Sequence, residues 1–313
     1  MAALTALVLL MMYSSAAQEG ARGGLQLCAK VIVPSLLPFF AVSSLLSQLG
    51  FPMYLARFTH PAARRIFNVS GAGTSAFIIG VTGGYPMGAA AVADTYSHGA
   101  LSKEEAQKLL AFCNNSGPAF ILGAAGTGIF KSAGVGLFLY AVHIISAVLT
   151  GIIMRGKASA EDRGNKQISI STYTFTEAVA SSVKNAAASS VTICGFIVFF
   201  SAVVSVLDSA GVFSSLAGRL SLLCGVELTQ ARAFLAGLLE LGTGISCLSG
   251  VPASPENLAL CSFILSWGGL SVHCQTLAVI NSSGLSSGKH FIGHCISSVV
   301  SAGLTLFFSP LIL

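Results

Sequence analysis

Charge is what this chain has least of. Lys, Arg, Asp and Glu make up 9% of its 313 residues, 16 basic and 11 acidic, where a soluble domain carries about 25%. With 54% hydrophobic residues and a mean hydropathy of +0.81, a soluble globule is excluded. The composition calls for an all-α polytopic membrane protein, with the lipid bilayer as its first partner. The net charge of +5 is not gathered into a basic tract or interleaved with aromatics, so no nucleic acid is expected. The eight cysteines include no C-x-x-C pair and lie mostly in apolar runs. They read as small hydrophobes, and no metal or cofactor is called for. G-x-S-x-G, H-E-x-x-H, P-loop and Rossmann fingerprints are all missing, so the many Ser and His residues do not make an enzyme and none is read as catalytic.

The amino-terminal apolar run, residues 1–16, has no Lys or Arg ahead of it. It is read as a short first span in preference to a cleaved signal, although Ser15-Ala16-Ala17 would serve as a small-residue site. A Gly-rich amphipathic stretch precedes a span over 31–50. Residues 51–70, with Arg57, His60, Arg64 and Arg65 among aromatics, form a basic segment for the headgroup layer.

The stretch from Gly71 to Phe130 is apolar but broken twice, at Gly83-Gly84-Tyr85-Pro86 and at Asn114-Asn115-Ser116-Gly117-Pro118. Residues 71–98 as one helix would be about 42 Å long, too long for a hydrocarbon core of about 30 Å, while either arm alone is too short. A re-entrant helical hairpin with its tip at Gly83–Pro86 resolves this. Ser102-Lys103-Glu104-Glu105 is a capping box that starts a helix reaching Asn114, which unwinds and restarts at Pro118. A further span is predicted over 134–155.

After the polar loop 156–176 the pattern returns. GFIVFFSAVVSVLDSAG matches PSLLPFFAVSSLLSQLG, FLAGLLELGTGISCLSG matches SAFIIGVTGGYPMGAAA, and SFILSWGGLSVHCQTLAVI matches LLAFCNNSGPAFILGAAG. The last spans share His-x-x-Ser, at His143/Ser146 and His294/Ser297. The expected organisation is therefore one membrane domain over 1–313: an N-terminal span and interfacial stretch (1–24), repeat 1 (25–155), a cytoplasmic loop (156–176) and repeat 2 (177–313). Each repeat holds a re-entrant hairpin and a broken helix and crosses three times, so the two are inverted. This topology places 11 basic residues on the cytoplasmic side (Arg57, Arg64, Arg65, Lys103, Lys108, Arg155, Lys157, Arg163, Lys166, Lys184, Lys289). It leaves 5 on the other (Arg22, Lys30, Lys131, Arg219, Arg232), as the positive-inside rule requires.

Four helix restarts are predicted at bilayer depth: at Met87, at Pro118, after Gly242-Thr243-Gly244, and after Trp267-Gly268-Gly269. Their free N–H groups and dipoles suit a small anionic substrate, although Gly80-x-x-x-Gly84-x-x-x-Gly88 also fits plain helix packing. Asn114, Asn115 and Ser116 at one break, and Ser271, His273 and Gln275 at the other, supply two facing polar patches or else satisfy their own unwound backbone. Glu240, two residues before the second tip, is an intramembrane carboxylate and so a candidate for a coupling ion (H+ or Na+), a proton relay or substrate contact. His143 and His294 are candidate relay groups. Asp94 and His98 belong at a hairpin mouth.

GGYPMGA, the CNNSGPAFILG block and GGLSVHCQ resemble the sporulation integral membrane proteins of the YlbJ, or stage V sporulation protein V, family. Those proteins fall in the nucleoside-recognition gate group and are distantly similar to concentrative nucleoside transporters. The resemblance implies a transporter with two helical hairpins, working by alternating access. It implies dipicolinic acid as substrate, carried across the mother-cell-derived outer forespore membrane. It assigns candidate contacts to Gly83, Gly84, Tyr85 and Pro86, to Asn114, Asn115 and Ser116, and to Ser271, His273 and Gln275. A non-transporting scaffold or receptor for spore assembly, and a carrier of nucleosides or another small anion, remain the alternatives; homo-oligomerisation is left open.

Overall fold

The computed structural model describes residues 2–156 and 174–313, which are helical almost throughout. Most of the expected loop 156–176, including Lys157, Arg163 and Lys166, lies outside the described residues.

α1 (Ala2–Met12) has 11 residues and is about 16 Å long, roughly half the hydrocarbon thickness. It does not form the expected first span. α2 (Ser14–Leu27) runs without interruption through a π-helical turn, Cys28–Ile32, into α3 (Val33–Gln48). Pro34 has no N–H to give to the preceding turn, and Val33 N–H reaches back to the Cys28 carbonyl. Residues 14–24 are thus the first turns of the helix that spans 14–48. Their glycines serve close packing: a Cβ on Gly20 would lie 2.6 Å from the Ser201 carbonyl, and one on Gly24 3.0 Å from the Val198 backbone. α4 (Phe51–Phe67) carries Arg57, Arg64 and Arg65, ends on left-handed Asn68, and its segment from Tyr54 meets α5 (Gly71–Gly83) at 97°. An in-plane helix that turns down into the bilayer has this shape.

α5 and α6 (Met87–Ser97) are the arms of the first hairpin, about 20 and 16 Å long, neither able to span alone. Their glycines make the close approach: a Cβ on Gly80 or Gly88 would fall 1.7 or 2.0 Å from the Cys113 carbonyl. Ser102 caps α7 (Lys103–Leu109), accepting from Glu105 N–H. This helix stops a turn earlier than expected. Phe112 N–H bonds to Leu109 O, Asn115 Nδ2 donates to Phe112 O at 2.8 Å, and the backbone opens until Pro118. Asparagine amides compete with the helix ladder in this way. The restart, Ala119–Ile129, is wound as a π-helix, and α8 (Ala133–Ile153) closes the repeat.

The second repeat follows the same order. α9 (Phe175–Ser209), opened by a Thr174/Glu177 capping box, equals in length the helix over 14–48. α10 (Val212–Cys224) answers α4, while α11 (Leu228–Leu239) and α12 (Leu241–Ser246) form the second hairpin. α13 (Pro255–Trp267) and α14 (Gly269–Ile280) are the broken span, and α15 (Gly288–Phe308) has the 21 residues of α8. Among the described residues, four stretches are long and apolar enough to cross alone: Ala133–Ile153, Phe175–Ser209, Pro255–Ser283 and Gly288–Leu311.

Two sets of contacts join corresponding positions of the two halves. Ser146 and Ser297, the equivalent serines of the two final spans, meet each other, Oγ to Oγ at 3.0 Å, so they lie on the pseudo-two-fold axis. At the hairpin mouths, Glu105 Oε1 accepts from Ser70 N–H at 2.6 Å, and Asn257 Oδ1 accepts from Gln230 Nε2 at 2.8 Å. In both repeats the third residue of the helix after the hairpin ties back to the start of its first arm.

Candidate functional site

The two hairpin tips and the two helix breaks converge on a partly open cavity. Gly83, Gly84 and Tyr85 reach it from the first tip, Ser116 to Phe120 from the first break, Glu240 to Gly242 from the second tip, and Ser271, Val272 and Gln275 from α14. Leu36, Phe39 and Phe40 of α3 with Ile193 and Ile197 of α9 give it an apolar wall. Among the described residues, no Lys or Arg lines it.

Three polar atoms in this lining have no hydrogen-bond partner: Ser116 Oγ, Ser271 Oγ and Gln275 Oε1, on residues 1%, 1% and 4% exposed. Buried polar groups are nearly always paired, so these three stand out in the lining. The N-terminal turns of the helix at Ala119 and of α14 face the same space.

The second tip differs from its sequence expectation. The helix restarts at Leu241, not after Gly242-Thr243-Gly244, because Glu240 is itself the N-cap. Its Oε1 accepts from Gly242 N–H at 2.9 Å and its Oε2 from Thr243 N–H at 2.5 Å. The carboxylate therefore occupies the helix end that was expected to face an anion. Gly244 sits one turn in, where a Cβ would collide with Gly237 of the other arm at 2.3 Å. Thr243 Oγ1 bonds to Ser201 Oγ of α9 at 3.0 Å. Glu is not one of the favoured N-cap residues, so nothing local in Leu239-Glu240-Leu241-Gly242 marks this cap.

Other candidates hold the frame. Asn114 accepts from Ala89 N–H at 3.3 Å and donates to Thr276 Oγ1 at 2.8 Å, bracing the first hairpin against α14. Asn115 satisfies its own turn, and Pro86, in a cis peptide with Tyr85, shapes the tip. Tyr85 donates through its hydroxyl to Leu265 O at 3.1 Å, crossing to the other repeat.

His143 Nε2 accepts from Ser116 N–H at 3.1 Å, and its Nδ1 meets Ser266 Oγ at 3.0 Å. His294 Nδ1 bonds to the Ser266 carbonyl at 2.9 Å. His273 does not reach the cavity lining; its Nδ1 lies 3.0 Å from His290 Nε2. His290 and Ser266 were not singled out in the sequence. His290 and His294 stand four apart on an apolar helix, one face of it, and that spacing was the available sign. Asp94 and His98 are exposed at the hairpin mouth, as expected. Among the described residues no group of three His, Cys, Asp or Glu is arranged to hold a metal ion.

Comparison with known proteins gives this geometry a context. Residues 29–153 match the Gate family, described as nucleoside recognition. The chain is 29% identical over 320 aligned positions to the sporulation integral membrane protein YlbJ of Bacillus subtilis strain 168, covering 93% of this chain and 77% of the relative. Its fold is that of CNTnw, a concentrative nucleoside transporter. A doubly substituted CNTnw in an outward-facing state aligns with TM-score 0.62 at 13% identity, over 99% of this chain and 82% of the transporter. An inward-facing, substrate-bound state of CNTnw aligns with TM-score 0.59 at 13% identity, over 98% and 83%. The YlbJ-like resemblance of GGYPMGA and CNNSGPAFILG thus holds over nearly the whole chain, in an integral membrane protein of transporter-like fold.

Proposed function

We propose that the chain carries a small planar organic anion through the cavity by alternating access, with dipicolinic acid as the first candidate. The outer forespore membrane is then its place of action, in keeping with its similarity to a sporulation membrane protein. The observation that carries the reading is the convergence of unpartnered Ser116 Oγ, Ser271 Oγ and Gln275 Oε1 on a cavity walled by Phe39 and Phe40. Hydroxyls and helix-terminal N–H groups suit carboxylate oxygens, and the apolar slab suits the faces of an aromatic ring. The hairpins, the broken helices, α8 and α15 form one body. The helix over 14–48 and α9 form the other, joined by Gln48 Nε2 to Ser182 Oγ at 2.9 Å. Among the described residues, the hairpins meet the second body through Ser43 Oγ to Thr82 O at 3.4 Å and Ser201 to Thr243. Sparse polar contact on an apolar surface allows one body to slide past the other.

A nucleoside is the second reading, favoured by Glu240, whose carboxylate in the lining can accept from a sugar or base. Purified protein in proteoliposomes should exchange labelled dipicolinate for unlabelled, and Ser116→Ala with Gln275→Ala should lower the exchange at least tenfold. Exchange of uridine and not dipicolinate selects the nucleoside reading. Binding of either without exchange makes the protein a receptor or scaffold.

A further inference from the structure

The elbow where α4 turns into α5 gathers basic side chains from four elements. α4 ends on left-handed Asn68, with Arg64 and Arg65 in its last turn. Lys108 of α7 is only 2% exposed, and its Nζ donates to the Asn68 carbonyl at 2.6 Å. Arg155 follows the end of α8, one turn past Gly151, where a Cβ would lie 2.8 Å from the Phe67 ring of α4. Lys289 is in the first turn of α15. That helix packs tightly on the end of α7: a Cβ on Gly293 would fall 2.0 Å from the Ala111 carbonyl, and His290 Nδ1 meets the Leu110 carbonyl at 3.3 Å. The charges of Arg155 and Lys289 both act on Lys108.

Acidic side chains do not balance this group. Glu105 lies close to Lys108 but receives Ser70 N–H at 2.6 Å, and Glu104 is exposed on the first turn of α7. Arg65, Arg155 and Lys289 are exposed, and among the described residues none of the three is paired with a carboxylate. Cations held this close repel one another, so a bound anion is stabilising.

The depth of the cations says which anion. α8 and α15 are each apolar enough to cross a bilayer, and Arg155 and Lys289 mark their ends. Exposed Ile152 lies three residues before Arg155, and exposed Ile292 three residues after Lys289. Each basic residue therefore has an apolar one on the same helix face, about 5 Å further into the span. A free anion would gain nothing from the isoleucines, whereas a lipid uses both levels.

We propose that the α4–α5 elbow, with the adjoining ends of α8 and α15, binds the headgroup of an anionic phospholipid. The phosphate sits among Arg65, Arg155 and Lys289, and the chains descend past Ile152 and Ile292. Lys108 stays on Asn68 and adds its charge from beneath. A zwitterionic lipid brings an ammonium group of its own, which this surface repels. The site is independent of what the cavity carries.

Native mass spectrometry of the full chain in detergent, offered equal amounts of dioleoylphosphatidylglycerol and dioleoylphosphatidylcholine, tests this. The anionic lipid should be retained at least about tenfold over the zwitterionic one, and the preference should shrink as ionic strength rises. Arg155→Gln with Lys289→Gln should lower the preference at least about fivefold, and Arg155→Lys with Lys289→Arg should hold it within about twofold. Arg219→Gln on α10, at the other end of the long helices, should leave it unchanged. Equal retention of the two lipids by the unsubstituted chain overturns the site, as does a preference that survives in the neutral pair. Displacement of the lipid by a large excess of inorganic phosphate also overturns it, because a free anion would then suffice. Should the neutral pair fail to fold, Arg155→Gln and Lys289→Gln decide singly. Each should lower the preference about threefold, and no change in either overturns the site.

Discussion

Glu240 carries two roles at one position. It closes a helix end inside the protein, and it adds a carboxylate to a cavity without basic side chains. A carboxylate that caps a helix through two backbone N–H groups contributes about 1.5–3 kcal/mol per bond at the charged end of the range, offset by its desolvation. Glu240→Ala should therefore lower stability by about 2–3 kcal/mol, leaving Gly242 and Thr243 N–H unsatisfied. Glu240→Gln keeps one acceptor oxygen and should lose about half as much. Thermal melting in detergent ranks the three proteins; equal loss in both variants would mean that the cap is not what the residue contributes.

At the scale of elements, the hairpin is held by its mouth as much as by its tip. Glu105 is 4% exposed and receives Ser70 N–H, the N-cap of α5. Glu105→Ala should cost about 1–3 kcal/mol by orphaning that donor, and Asn257→Ala, at the equivalent place, should cost less because Gln230 can turn to water. Melting of the two single variants checks the order. The hairpins, the broken spans and the repeat itself could be read from the sequence, because Gly-Gly-Tyr-Pro and Asn-Asn-Ser-Gly-Pro interrupt runs that are otherwise too apolar for loops. The Ser102 cap was legible for the same local reason. The position of the second tip was not, because Gly242 and Gly244 look like a turn but serve close helix contact, while the residue that ends the ladder is an acid. The π-helical winding of Ala119–Ile129 and the joining of α2 to α3 leave no period distinct enough to find in a uniformly apolar stretch. The histidine cluster is assembled from Leu110, His143, Ser266, His273, His290 and His294, and only the fold brings residues so far apart in sequence together.

The whole molecule offers two contacts that look alike and should behave differently. Ser146 Oγ and Ser297 Oγ are 3.0 Å apart on the pseudo-two-fold axis, inside the body that holds the hairpins. Ser201 Oγ and Thr243 Oγ1 are also 3.0 Å apart, but they join the long helix α9 to the second hairpin tip. If transport is the sliding of one body past the other, a bond within a body is harmless and a bond between bodies is fatal. Cysteine pairs at both places should oxidise readily, since a disulfide draws its sulfurs to about 2.05 Å from a comparable starting separation. Oxidised Ser146→Cys with Ser297→Cys should exchange substrate within about twofold of the unsubstituted chain. Oxidised Ser201→Cys with Thr243→Cys should lose at least tenfold and recover with dithiothreitol. Loss in both pairs would place the axis at the moving boundary, and loss in neither would mean that the tips and the long helices do not part during the cycle.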